Sequence, residues 1–175
     1  MKVAILSGSV YGTAEEVARH ARQLLAEAGF EVMLNPRATL DEVLAFAPEA
    51  ILAVTSTTGM GELPDNLIPL YSALRDQLPA ALRGLPGAVM GLGDSSYGDT
   101  FCGGGEQMRD LFTELGVNEV LPMLRLDSSE SVTPESDAEP WLADLIKALT
   151  QEPGVHAAAQ ARLELPVTNT PRLAR

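Results

Sequence analysis

Three stretches of small and hydroxyl-bearing residues carry most of this chain's chemistry. The first, Ser7-Gly8-Ser9-Val10-Tyr11-Gly12-Thr13, runs straight into a helical pattern. Small residues let backbone N–H groups converge, Ser9 and Thr13 add hydroxyl donors, and a helix start adds the positive end of its dipole. That combination can cradle a phosphate. It contains no Lys or Arg and lacks the Gly-Lys-Ser/Thr ending of a triphosphate-binding loop. The dinucleotide glycine pattern is absent too, since Gly8 and Gly12 stand four apart with nothing matching between them. Neutral donors suit a mononucleotide, and a Gly/Ser-rich turn that caps a helix is the plainer reading of the same residues. The second stretch spans residues 55–66 and sets Gly59 and Gly61 two apart, which permits unusual backbone angles and a peptide flip. It also reads as a flexible connection of hydroxyl residues. The third, residues 91–105, places Tyr97 either to stack on a planar ring or to cap the core.

Such loops need a scaffold. Apolar runs at 2–7, 30–34, 50–55, 86–92 and 119–124 read as strands, several of them buried on both faces. Helical spacing fills the intervals: 12–28, about 39–46, a helix opened by Pro64, about 104–115, and about 138–149 with Pro140 near its first turn. Pro122 would break a ladder, so the fifth strand belongs at an edge. Strand–helix alternation of this kind predicts an α/β fold with a parallel sheet, helices on both faces and right-handed crossovers. Five strands favour the doubly wound order 2-1-3-4-5, with the ligand beyond the carboxyl ends of the strands. The loops after strands one, three and four are the three stretches above. There is no internal repeat.

The composition sets limits on function. At 175 residues, 46% of them hydrophobic and 21% charged, the chain is globular rather than disordered. A domain of this size buries about two-thirds of its unfolded surface. Net charge is −12, which excludes general attraction to nucleic acid and favours basic partner surfaces. One cysteine excludes an internal disulfide and a thiolate cluster, and two histidines leave little for metal chemistry. The first apolar run is too short for a signal peptide and no later run spans a bilayer, so the cytoplasm, with no membrane partner, is expected. Residues 151–175 differ from the rest. They hold three prolines and three arginines against two glutamates, a net charge of +1 that leaves −13 in residues 1–150. The expected organisation is one domain over 1–150 and an extension over 151–175, loosely packed or with an edge strand around 163–167.

Taken in order, the three loops resemble those of the flavodoxins and of the flavin-mononucleotide (FMN) domains of diflavin reductases. Ser9-Val10-Tyr11-Gly12-Thr13-Ala14-Glu15 is similar to the family's phosphate loop, Ser/Thr-x-Thr-Gly-x-Thr/Ala-Glu. Residues 56–59 resemble its Ser-Thr-aromatic-Gly segment, followed by Pro64-Asp65-Asn66 in the place of its Pro-x-Asp-Asn. Gly91-Leu92-Gly93-Asp94-Ser95-Ser96-Tyr97 resembles its Gly-x-Gly-Asp-Ser-x-Tyr segment. No long insertion interrupts the fifth strand, which implies a short-chain flavodoxin.

The resemblance implies FMN as cofactor. It assigns the phosphate to Ser9, Tyr11, Gly12 and Thr13, with Ser7 and Val10 in the same loop. Val10 and Ala14 stand where relatives often carry hydroxyls, so backbone donors must supply more of that site. Tyr97 is expected on the outer face of the flavin ring, and Gly93 and Asp94 at its pyrimidine edge. Ser56, Thr57, Thr58, Gly59, Met60 and Gly61 are expected along the inner side, and Phe101 and Cys102 beyond Tyr97. Many relatives carry Trp or Tyr at the position of Thr58, and losing one stacking face weakens binding by about 1 kcal/mol. In the family a carbonyl near Gly59 turns toward flavin N5 when that atom gains a proton. Cys102 is expected to be structural, and Trp141 to anchor the last helix.

Function follows as an expectation: a monomeric electron carrier between a basic-surfaced NADPH-dependent flavodoxin reductase and an acceptor redox enzyme. The charge of −13 predicts a low potential for the second electron. The acidic residues of 127–139, with Glu62, Asp65 and Asp99, are expected to steer such partners. Two other readings compete. A quinone or azo reductase of the same fold would oxidise NADPH unaided. A signalling receiver would need acidic residues where this chain has Ser-Gly-Ser and Thr-Ser-Thr.

Overall fold

The computed structural model describes residues 1–151, so the predicted edge strand at 163–167 lies outside the described residues. The chain runs β1 (Lys2–Gly8), α1 (Thr13–Glu27), β2 (Glu31–Leu34), α2 (Leu40–Phe46), β3 (Ala50–Thr55) and α3 (Ile68–Gln77). It continues with β4 (Pro86–Gly93), α4 (Gly103–Leu115), β5 (Asn118–Glu119), β6 (Leu124–Asp127) and α5 (Pro134–Gln151). Short 3-10 turns occupy Ala80–Leu82 and Ser95–Thr100.

Every strand pairing is parallel, and the order is β2-β1-β3-β4, with β5 and β6 both on the outer edge of β4. The predicted doubly wound order 2-1-3-4-5 therefore holds, but the fifth strand comes in two pieces. The strand expected at 119–124 ends at Glu119 and resumes at Leu124. Pro122 cannot donate to the ladder, and the chain bows away around it. Resuming there carries the edge on to Asp127, which pairs with Gly93 at the carboxyl end of the sheet. Two helix starts also differ from expectation. Residues 64–67 form a turn, closed by the Leu67 N–H donating to Pro64 O at 3.0 Å, and α3 starts after it with Pro69 in its first turn. The last helix begins at Pro134, so Pro134 holds the first-turn place and Pro140 lies inside the helix.

The sheet divides the core in two. Val3 and Ile5 of β1 face α1 and α5, where they meet Val17, Leu25, Leu142 and Leu145. Ala4 and Leu6 face the other way, toward Leu67, Leu74, Met108 and Phe112. Each large aliphatic side chain buried in these layers contributes about 1.5–3 kcal/mol. Trp141 anchors α5 as expected: its Nε1–H donates to Pro122 O at 3.0 Å, on the bow in the edge strand. His20 and Glu139, 2.9 Å apart, join α1 to α5.

Candidate functional site

The carboxyl ends of β1, β3, β4 and β6 carry four loops side by side, and a cleft of about 400 Å³ opens among them. Adjacent strands lie about 4.8 Å apart, so the loop after β1 and the loop after β4 are about 10 Å from one another across the β3 loop.

The first loop ends at Gly12, which caps α1 with φ +92° and no side-chain bond. The first N–H groups of an uncapped helix have no acceptor within it, and here they stand at the mouth of the cleft. The Gly12 N–H donates to Ser9 Oγ at 2.9 Å, which curls the loop. Val10 and Tyr11 project outward, 50% and 96% exposed. Ser7 lies beneath the loop, and its buried Oγ is the one buried side-chain polar atom without a partner among the described residues.

The second loop is a tight hairpin. Thr58 and Glu62 exchange backbone bonds of 2.9 and 2.8 Å around Gly59, whose φ is +53°. An L side chain at Gly59 would be strained there and would also meet the Glu62 carboxylate. Thr57 fastens the loop from behind: its Oγ1 donates to Leu92 O at 3.0 Å and accepts from the Gly104 N–H at 3.1 Å. Gln107 adds a bond from Nε2 to Gly61 O at 2.7 Å. The run Gly103-Gly104-Gly105 lets α4 come this close; a Cβ on Gly104 would lie 2.4 Å from Ser56 O.

The third loop turns on Asp94, whose carboxylate accepts the Ser96 N–H at 2.8 Å. That carboxylate is committed to its own turn. Tyr97, at the crest, is 68% exposed beside the cleft. A fourth loop, after β6, holds the third in place. Asp127 accepts the N–H of Ser95 at 3.1 Å, and the N–H and Oγ of Ser129 at 3.0 and 2.7 Å. Hydrogen bonding from the Ser95 side chain foremost, then from the Ser129 side chain and the two backbone N–H groups, holds its carboxyl far below the usual range. The neighbouring Ser128 donates its N–H to Gly93 O at 2.8 Å and lines the cleft.

Of the residues singled out from sequence, Ser9, Val10, Tyr11, Thr13, Ser56, Thr57, Thr58, Gly59, Gly93, Asp94 and Tyr97 line the cleft. Ser7, Gly12, Met60, Gly61, Phe101 and Cys102 do not. Met60 stands out at the hairpin tip, 82% exposed. Cys102 is buried at the start of α4, its Sγ–H donating to Gly91 O at 3.4 Å, and burial pushes its thiol up to about 11. Leu92, Thr100 and Ser128 line the cleft without having been foreseen. Leu92 and Thr100 belong to the third stretch but were not singled out within it, whereas Ser128 lies outside all three stretches and only the resumed edge strand brings it there. Among the described residues no cluster of His, Cys, Asp and Glu could hold a metal ion, and no helix is long and apolar enough to cross a membrane.

A model of the family described as Flavodoxin matches residues 5–141. The chain belongs to the flavodoxin family. It is 78% identical over 149 residues to an uncharacterized protein of Pseudomonas aeruginosa, a match that covers 85% of this chain and 99% of that one. Flavodoxin YqcA of Pectobacterium carotovorum is 40% identical over 153 residues, covering 84% and 98% of the two chains. Among solved structures, a cysteine-to-alanine variant of flavodoxin from Pseudomonas aeruginosa aligns with TM-score 0.82 at 77% identity, over 86% of this chain and 99% of that one. The fold is that of this family.

Proposed function

We propose that this chain binds FMN in the cleft and works as a monomeric electron carrier between an NADPH-dependent flavodoxin reductase and an acceptor redox enzyme. Residues 1–150 form the flavin domain, and 151–175 are an extension to it. One observation carries the reading: the cleft joins unpaired helix-start N–H groups after β1 to an exposed Tyr97 after β4, across the Thr58–Gly59 hairpin. A phosphate fits the first and a planar ring fits the second. The cleft volume lies in the usual range for small ligands, about 300–1,000 Å³.

Bound FMN supplies electron storage in one- and two-electron steps. The chain does the rest. Ser9 and Thr13 hydroxyls and the α1 amides would hold the phosphate, Tyr97 would stack on the ring, and the backbone of Gly93 and Asp94 would offer it polar groups. The Gly59 turn would offer a peptide group with no side chain of its own. Glu62, Asp65 and Asp99 are exposed near these loops and give the docking face a negative charge that suits basic partners.

The test is anaerobic reduction of the FMN-loaded protein. Reduction by NADPH is expected to require added flavodoxin reductase and to slow as salt is raised. Equal reduction by NADPH alone would contradict the carrier reading and support a reductase.

A further inference from the structure

The first loop is a thin wall. Ser9 and Val10 line the flavin cleft and also a second cleft of about 770 Å³, formed with Arg37, Thr39, Pro69 and Leu70. A loop with space on both sides needs a tie, and Asn66 provides one from the turn before α3. Its Oδ1 accepts the Ser9 N–H at 3.0 Å, while its Nδ2 donates to Ser7 O at 3.0 Å and to Pro36 O at 2.8 Å. One half-buried carboxamide thus joins the first loop, the loop after β2 and the turn before α3. Both of its polar atoms are used.

We propose that Asn66 is the positioning residue of the phosphate loop, an inference that rests on the FMN reading above. It points the Ser9 N–H backward, so that amide is withdrawn from the phosphate's donors. The Ser9 hydroxyl, already turned toward Gly12, stays at the cleft wall together with the amides beyond it. Asn66 touches neither phosphate nor ring; it acts through Ser9. A dianion is held well only by donors that converge beforehand, because each donor left free to wander adds an ordering cost on binding. The ring end is built from other loops and should feel little of this.

The experiment compares FMN with riboflavin, which has the same ring and no phosphate. Affinities are measured by flavin fluorescence quenching for the wild type, Asn66→Ala and Asn66→Ser. In both variants FMN binding is expected to weaken about tenfold or more, the size of effect that two or three lost hydrogen bonds produce, with riboflavin binding changed less than about twofold. Equal weakening for both flavins, or no change in either, would overturn the proposal. Should the wild type bind neither flavin, the FMN reading itself fails. Amide exchange in the protein without flavin then decides: faster exchange confined to residues 9–13 in Asn66→Ser supports the tie, and unchanged exchange there refutes it. If Asn66→Ala does not fold, Asn66→Ser carries the comparison alone.

Discussion

The first and second loops flank one cleft and are built in opposite ways. The first stands clear of the core, with Tyr11 96% exposed, an uncapped helix start behind it and Asn66 as its tie to distant chain. The second is clamped from behind by Thr57, Gln107 and the three glycines that open α4, and its Gly59 tip is closed by the paired Thr58–Glu62 backbone bonds. The lesson is one of division. Donors for a phosphate must be left unpaired, so that loop is held through Ser7, Gly8 and Ser9 while its helix-start amides stay free. A ring needs a fixed wall, so the other loop is stitched up to its tip.

The sharpest way to break this contrast is a methyl group at the clamp. Gly104→Ala would press on Ser56 O, and overpacking of this kind costs about 1–3 kcal/mol. The expected loss is about 2 kcal/mol in urea unfolding, whereas Tyr11→Ala in the first loop should change stability by less than about 0.5 kcal/mol. Equal losses would dissolve the contrast. The next effect is on the ligand. Tyr97→Ala should weaken FMN binding about three- to tenfold, the worth of one aromatic face, with little change in stability. Restoring the aromatic that many relatives carry at the hairpin, Thr58→Tyr, should tighten it by a few-fold, about threefold to fivefold. Both are read by titration against fluorescence. The smallest effect concerns the latch on the third loop. A carboxyl whose folded pKa is depressed stabilises the fold above its unfolded pKa of about 3.9, and that contribution fades as pH falls toward the folded value. Asp127→Asn should therefore show a stability deficit that is constant from about pH 8 to pH 5 and shrinks below about pH 4. A deficit that grows with acid would reverse the sign and remove Asp127 as a latch.

Much of this was readable from residue order. The apolar runs at 2–7, 50–55 and 86–92 read as strands buried on both faces, and Gly/Ser-rich loops after three strands located the cleft. Pro122 announced a break, but not that the edge would resume at Leu124 and bring Asp127 and Ser128 to the site. That depends on pairing with β4, which is long-range. Pro64 looked like a helix start because proline favours a first turn; Pro69, five residues on, occupies that place instead. The meaning of Gly103-Gly104-Gly105 was hidden for the same reason: a glycine required by close approach shows only against its neighbour, here Ser56 and Gly61. Asn66 was visible as part of a motif, yet nothing in the sequence tells which three backbone groups its carboxamide joins.

The most direct measurement is an FMN titration of the purified protein followed by desalting. The prediction is one FMN retained per chain, with absorbance at about 450 nm and quenched fluorescence from stacking on Tyr97. Free FMN passing through unquenched, with none retained, would contradict it.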